Sequence, residues 1–213
     1  MKRVGLVVLT MLALALLCSS AMAQDTDTYL VTYYANNVTA APPATVRVIN
    51  DGYEGVYSSP PGDGTAYADF FAFDDSEELI TCCSCAVTPD GLLSENIPQL
   101  VTQKNSQTGA VIRTPTRGVI KLISSSNGFF PQRGDPEPSA EVLSAGLHAW
   151  ATHIQSVKNE TPNGPAPYTQ TETLFADANL TTSEQSLLEF LCWAQVAELS
   201  ILPCSCTPED SDF

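Results

Sequence analysis

The sequence predicts a mainly β fold, an antiparallel sandwich with one C-terminal α-helix, stabilised by disulfides. Three observations lead there. Short runs of β-branched and aromatic residues recur between clusters of Gly, Pro, Asn and Asp. One late segment repeats apolar residues at helical spacing behind a capping motif. Six cysteines beyond the N-terminal leader fall in two distant groups, Cys82, Cys83 and Cys85, then Cys192, Cys204 and Cys206.

The leader comes first. Lys2 and Arg3 form a positive start, and residues 4–17 are apolar but short for a membrane span. Ala21-Met22-Ala23 supplies a small-x-small cleavage signal, so residues 1–23 read as a signal peptide and the mature chain begins at Gln24. Cys18 leaves with it. A lipid anchor on Cys18 needs a small residue before it, and Leu17 stands there. The expected location is therefore secreted: periplasm, extracellular space or cell surface, with no membrane span in the mature chain. Residues 24–207 fit one domain, and 208–213 an acidic tail.

Losing Lys2 and Arg3 takes the formal charge from −15 to −17. So acidic a chain repels phosphate backbones and anionic lipid, which argues against nucleic-acid partners. Solubility explains such a charge, and cation binding is the sharper reading. The cluster Asp74, Asp75, Glu77, Glu78 lacks the alternating ligands and central glycine of a calcium loop.

The elements follow in order. Residues 29–35 read as a strand, and so do 44–49, which follow Ala41-Pro42-Pro43 and end at the turn Asn50-Asp51-Gly52. Residues 58–64 are a Pro- and Gly-rich loop. A third strand, 66–73, carries Phe70, Phe71 and Phe73, and 79–82 extends that region into the first cysteines. Pro89-Asp90-Gly91 is a turn in which Pro sets φ and Gly accepts a positive φ. Residues 118–124 alternate as a strand. The stretch 147–157 satisfies two periods: Leu143, Leu147, Trp150, Ile154 and Val157 share a helical face, whereas Trp150, Thr152 and Ile154 alternate. With Gly146 interrupting the helical pattern and 169–175 again β-like, a long hairpin is predicted. Thr181-Thr182-Ser183-Glu184 is a capping box, with Thr181 as N-cap and Glu184 reaching back to its amide. A helix of about 182–201 follows, its apolar face Leu187, Phe190, Leu191, Ala194, Ala197 and Ile201, stopped by Pro203.

An even cysteine count in an exported chain points to disulfides. Cys82 and Cys83 are adjacent and too close to bridge each other. Pairing the first group with the second leaves six connectivities, each closing a loop of roughly 100 residues, worth about 4–5 kcal/mol in the chain-entropy model. The competing reading gathers CCxC and CxC thiolates around zinc, copper(I) or a cluster, but C-x2-C spacing is absent and export opposes free thiols. No catalytic, cofactor or metal residue is assigned. There is no G-x-S-x-G. His148 and His153, five apart, share neither a helical face nor a strand face, and each reads as an ordinary half-exposed side chain. Asp69, Asp74 and Asp75 lie on or beside an aromatic strand, where a carboxylate-dependent hydrolase would hold a sugar; core aromatics with acids at the strand end is the simpler reading. Sequons occur at Asn37, Asn159 and Asn179.

The run Cys82-Cys83-Ser84-Cys85-Ala86-Val87-Thr88-Pro89-Asp90-Gly91-Leu92 is distinctive, and with it go residues 44–50, 118–121, 147–155 and 171–173. Together they resemble uncharacterised secreted proteins of soil bacteria that share a CCxCxVTPxGL motif, across most of the mature chain. The resemblance implies no activity. It implies further cysteines where Tyr67 and Gly134 stand here; their joint loss keeps the count even, which suits disulfides better than a cluster.

The sequence thus points to a secreted structural or binding module of the extracellular space or envelope, without evident catalysis, whose partner is an extracellular protein or carbohydrate. The alternatives are a carboxylate-dependent hydrolase of polysaccharide and a cysteine-based metal-binding protein.

Overall fold

The computed structural model describes residues 28–38, 41–52, 64–129, 131, 141–157 and 167–206. The leader 1–23, the tail 208–213, Gly134, the sequon residue Asn159 and nearly all of the predicted loop 58–64 lie outside the described residues.

Alternating and β-branched sequence produces twelve strands among those residues: β1 (Tyr29–Ala35), β2 (Thr45–Asn50), β3 (Ala66–Asp74), β4 (Leu79–Val87), β5 (Leu92–Asn96), β6 (Gln103–Asn105), β7 (Val111–Arg113), β8 (Arg117–Ser125), β9 (Leu147–Ser156), β10 (Tyr168–Leu174), β11 (Ala176–Asp177) and β12 (Ile201–Leu202). A single helical turn, α1 (Ile97–Leu100), follows β5, and the capped helix α2 (Thr182–Trp193) runs on into a π-helical turn, Ala194–Glu198. The main sheet has the order β11-β1-β8-β3-β4, the second β10-β9-β2-β5, and a small third β12-β6-β7. Pairing between these strands is antiparallel.

Two packed layers bury the cores. Leu30, Tyr34, Ala68, Phe70, Ile120 and Leu122 of the main sheet meet Val46, Val48, Leu93, Leu147, Ala149 and Ile154 of the second, the arrangement of a β-sandwich. On the opposite face of the main sheet, Tyr29, Phe71, Cys82 and Ile123 pack against Leu188, Cys192 and Val196 of α2 and its extension. With both faces covered, β3 and β4 are buried nearly throughout, which is why their sequences read as continuous apolar runs and not as alternation. Asn50 ties the two sheets at one end: fully buried, it donates from Nδ2 to the carbonyls of Gly64 and Val87, both at 2.8 Å, and accepts from the Gly52 amide.

Strand parity sorts the cysteines. Cys82 faces α2, whereas Cys83 and Cys85 face the sandwich. The pairs are Cys82–Cys192, Cys83–Cys204 and Cys85–Cys206, with Cα separations of 5.8, 5.1 and 5.6 Å, inside the usual disulfide range. After the π turn the chain rounds the β4 edge and runs beside it, and the Cys204 amide donates to the Cys82 carbonyl at 3.1 Å. The last residues of the domain therefore cover an edge strand that would otherwise be open to pairing.

The predicted hairpin is present: Leu147–Ser156 is strand and pairs with β10 from Tyr168↔Ser156 to Leu174↔Trp150, because cross-strand pairing outweighs the helical period. Several other expectations need correction. The helix is α only to Trp193, not to 201, and continues as a π turn. Its cap is half the predicted box: Thr181 Oγ1 accepts from the Glu184 amide at 3.1 Å, but the Glu184 carboxylate turns to Tyr29 and Lys121. The buried stripe is Leu188, Glu189, Cys192, Gln195 and Val196, while Leu187 and Phe190 are exposed. Tethering at Cys192 sets that rotation. In the turn after β4, Asp90 and not Gly91 takes the positive φ, 59°. His153 is fully buried, not half-exposed.

Candidate functional site: a groove on the main sheet

Helix α2 covers only part of its face of the main sheet. Register places Tyr33 of β1 opposite Val119 of β8, and Val119 opposite Phe73 of β3. This row lies past the start of the helix and floors a groove. One cavity of about 710 Å³ runs between the sheet and α2, lined by Phe73, Val119, Lys121, Glu184, Leu187 and Leu191. A second, of about 610 Å³, lies over the end of β1, with Tyr33, Asn37, Asp75, Arg117 and Gln155 around it. Asp74, Glu77 and Val119 border both cavities, so the two adjoin along the groove.

Tyr33 is its most exposed aromatic, 48% accessible. Its ring is held by stacking on His153, centroids 4.0 Å apart and planes 12° from parallel. His153 comes from β9 of the other sheet and is anchored through Nε2 to Thr173 Oγ1 at 2.7 Å. Burial lowers the His153 pKa, so the imidazole is neutral at physiological pH, and its buried Nδ1 has no partner among the described residues. An orphaned N–H is costlier than an orphaned lone pair, which assigns the proton to Nε2. The result is a fixed aromatic plate with one face open.

Polar side chains surround the plate. Arg117 reaches Asp75 through Nε and Nη2, at 2.7 and 2.6 Å. Asn37 Oδ1 accepts from the Ser156 amide. Glu77, held at φ 63° in the β3–β4 turn, projects between the two cavities. On the α2 side, Glu184 accepts from Lys121 at 2.6 Å and from the Tyr29 hydroxyl at 2.7 Å, and Lys121 lies 5.4 Å from the Phe73 ring centre. The lysine and tyrosine hydrogen bonds hold the Glu184 carboxyl below its usual range, against a smaller opposing effect of burial. Burial, followed by the hydrogen bond to Glu184 and then its charge, pushes the Tyr29 hydroxyl far upward, so it stays a donor.

Comparison with protein-family models, curated proteins and solved structures finds no match.

The predicted acids are dispersed by the fold. Asp74 organises its turn, accepting at Oδ1 from the amides of Ser76 and Glu78, and at Oδ2 from Arg113 at 2.9 Å. Asp75 is paired with Arg117 at the groove's lip. Asp69 lies elsewhere, fully buried beneath α2 and bound by Ser125 and the Phe129 amide. These three do not form an opposed pair of free carboxylates. His148 approaches Asp51 at 3.4 Å, far in register from His153. Asn37 sits in the groove. Asn179 lies between β11 and α2.

For the thiolate reading, the sulfurs of Cys83, Cys85 and Cys206 do converge within 4.8 Å of one another. Each is already bonded in a disulfide, which removes it as a thiolate ligand. Among the described residues no helix is long and apolar enough to cross a membrane.

Sequence reasoning missed Tyr33, Arg117, Gln155 and Glu184 as groove residues. Alternation in β1 distinguishes Val31 and Tyr33 from Leu30, Thr32 and Tyr34, yet both sets are largely apolar, so it carries no sign of which face is open. Gly118 was the better signal. A Cβ there would lie 1.9 Å from the Phe73 carbonyl oxygen and 2.8 Å from the Tyr34 ring, and a strand glycine marks such close approach.

Proposed function

We propose that this chain is a secreted, non-catalytic binding module of the extracellular space or cell envelope, and that the Tyr33 groove takes a neutral, hydroxyl-rich glycan. The observation that carries this reading is the half-exposed Tyr33 ring, pre-set by its stack on His153 and rimmed by planar amide, carboxylate and guanidinium groups. A sugar ring offers C–H faces to an aromatic plate and hydroxyls to planar polar groups. A rigid plate also binds with little ordering cost. Three disulfides and the leader-like start support export. The bonding of Asp74 and Asp75 to arginines favours binding over carboxylate hydrolysis, and the pairing of the cysteines favours a structural role over metal transfer.

A protein partner is the second reading, motivated by Leu187 at the groove's wall and by Phe190, apolar side chains of α2 that are 54% and 44% exposed.

The test is titration of the mature protein against soluble cell-wall and extracellular polysaccharides, with Tyr33→Ala alongside. The expected result is saturable binding weakened about tenfold in the variant, which corresponds to about 1.4 kcal/mol, with the fold retained and the melting temperature lowered by only a few degrees through loss of the stack on His153. Equal binding by both proteins, or none across neutral glycans, removes the groove as a glycan site.

A further inference from the structure

Beneath α2, away from the Tyr33 groove, three carboxyl groups from three elements are buried together. Asp69 belongs to β3, Glu189 to α2, and Glu141 to the segment 141–146 that precedes β9; their accessibilities are 0, 4 and 6%. This segment is laced to the end of β8. Leu143 bridges Ser125, the Ser126 amide donates to the Val142 carbonyl and the Ser144 amide to the Ser124 carbonyl, both at 2.9 Å. It is laced equally to the helix: the Glu141 amide donates to Glu189 Oε1 at 3.0 Å, and Gln185 Nε2 donates to the Glu141 carbonyl and to the same Glu189 oxygen.

Two of the three acids are satisfied. Asp69 accepts from Ser125 Oγ at 2.5 Å and from the Phe129 amide at 3.2 Å, and Glu189 accepts as just described. Glu141 differs, because both of its carboxyl oxygens are buried without a partner among the described residues. Among the described residues, the charged groups acting on it are Asp69 from the sheet and Glu189 from the helix, both negative. An unpartnered ionised carboxylate between two acids is strongly disfavoured in a dry site. A shared cation would be one remedy. Among the described residues, however, only the three cysteine sulfurs converge as closely as ligands of a single ion must; these carboxyl oxygens do not. The remaining remedy is a proton.

We infer that Asp69, Glu141 and Glu189 form a proton-held latch that fastens the 141–146 segment and α2 to the main sheet and slackens as the medium turns alkaline. Burial, then the charges of Asp69 and Glu189, pushes the Glu141 pKa up to about 9. Burial pushes Asp69 up to about 6, with its hydrogen bonds opposing. For a carboxyl raised on folding, the folded state binds the extra proton. Its contribution is complete below the unfolded pKa near 4 and is lost as pH rises through the folded value. Stability from this cluster therefore declines between about pH 4 and pH 9. The Cys82–Cys192 bridge holds α2 covalently three residues beyond Glu189, so ionisation loosens the segment and the helix start without releasing the helix. Because Glu184, Leu188 and Leu191 of α2 also wall the groove, the latch shares an element with the proposed binding site but does not depend on that reading.

The test is thermal unfolding of the mature, oxidised protein from pH 4.5 to 9.5, together with Glu141→Gln, which keeps the shape and cannot ionise. The expected result is a wild-type melting temperature that falls by about 5 °C or more between pH 5 and pH 9, and a fall at most half as large in the variant. Parallel profiles overturn the latch. Infrared difference spectroscopy of the wild type needs no variant to fold: a protonated-carboxyl band is expected at pH 7 and is lost above pH 9, and its absence at pH 7 overturns the proposal. So does a melting temperature raised by added calcium in the wild type alone, since that would make the cluster a cation site.

Discussion

The backbone amide of Cys204 donates to the carbonyl of Cys82 at 3.1 Å, while the Cys204 sulfur is bonded to Cys83, the next residue along the same strand. One edge of the main sheet is thus closed by a hydrogen bond and a covalent bond from the same residue. The neighbouring bridges, Cys82–Cys192 and Cys85–Cys206, extend this closure in both directions.

That geometry makes the three bridges unequal. Cys82–Cys192 and Cys83–Cys204 both span more than a hundred residues, so losing one leaves the long loop closed by the other. What a single loss opens is the short loop between residues 192 and 204, worth about 3 kcal/mol in the chain-entropy relation. Cys85–Cys206 closes a still shorter loop and contributes less, about 2 kcal/mol by the same relation. Paired Cys→Ala variants in urea unfolding should follow that order, with full reduction far more damaging than either. Thiol titration of the denatured, unreduced mature protein should find no free thiol; six free thiols would contradict the bridges.

Asn50→Ala should cost about 3 kcal/mol. The change leaves the buried Gly64 and Val87 carbonyls without the Nδ2 donor and the Gly52 amide without its acceptor. Urea midpoints measure it, and a loss below about 1 kcal/mol would mean that this tie between the sheets is not holding them.

Gly118→Ala should destabilise by about 2–3 kcal/mol. The new Cβ meets the Phe73 carbonyl, a backbone atom that cannot step aside without disturbing the β3–β8 ladder. Thermal unfolding reads the cost. A neutral result would show that β3 and β8 can separate there freely.

Acid should weaken the contact between α2 and the sheet through Glu184. Its pKa is lowered on folding by the Lys121 and Tyr29 hydrogen bonds, so its contribution is present above the unfolded value near 4.5 and is lost as pH falls through the folded one. Lys121→Met should flatten the acid limb of the melting profile while leaving the alkaline limb unchanged. Equal flattening of both limbs would show that the two clusters titrate as one.

Much of the sheet was legible because strand formation depends on neighbours two residues apart. Residues 29–35 and the cores of β2, β3, β8 and β10 are read directly from β-branched and aromatic runs bounded by turn residues. The short strands β6, β7, β11 and β12 were not. They are two or three residues long, too short to show a period: β11 and β12 form against the distant β1 and β6, and β6 and β7 pair with each other across a short turn. The five-residue β5 was not read as a strand either. The six cysteine connectivities were reducible further than the spacing was taken: parity on an extended strand already sets Cys82 against Cys83 and Cys85, and a helix carries Cys192 apart from the CxC pair. Glu141 left no signal, since an exposed and a buried glutamate look alike in a sequence.

What the sequence alone determined is everything with a short period or a local cap: the β class, most strand positions, the Thr181 cap, the two cysteine clusters and the acidic surface. Tertiary structure decided which sulfur meets which, that α2 buries Leu188 and Cys192 while exposing Leu187 and Phe190, and that Asp69, Glu141 and Glu189 are buried together. The physical reason is range. Backbone preference and side-chain alternation act within a few residues, whereas the rotation of a helix and the company of a buried charge are set by surfaces far along the chain, 110 residues away for Cys192 and Cys82 and 48 for Glu141 and Glu189.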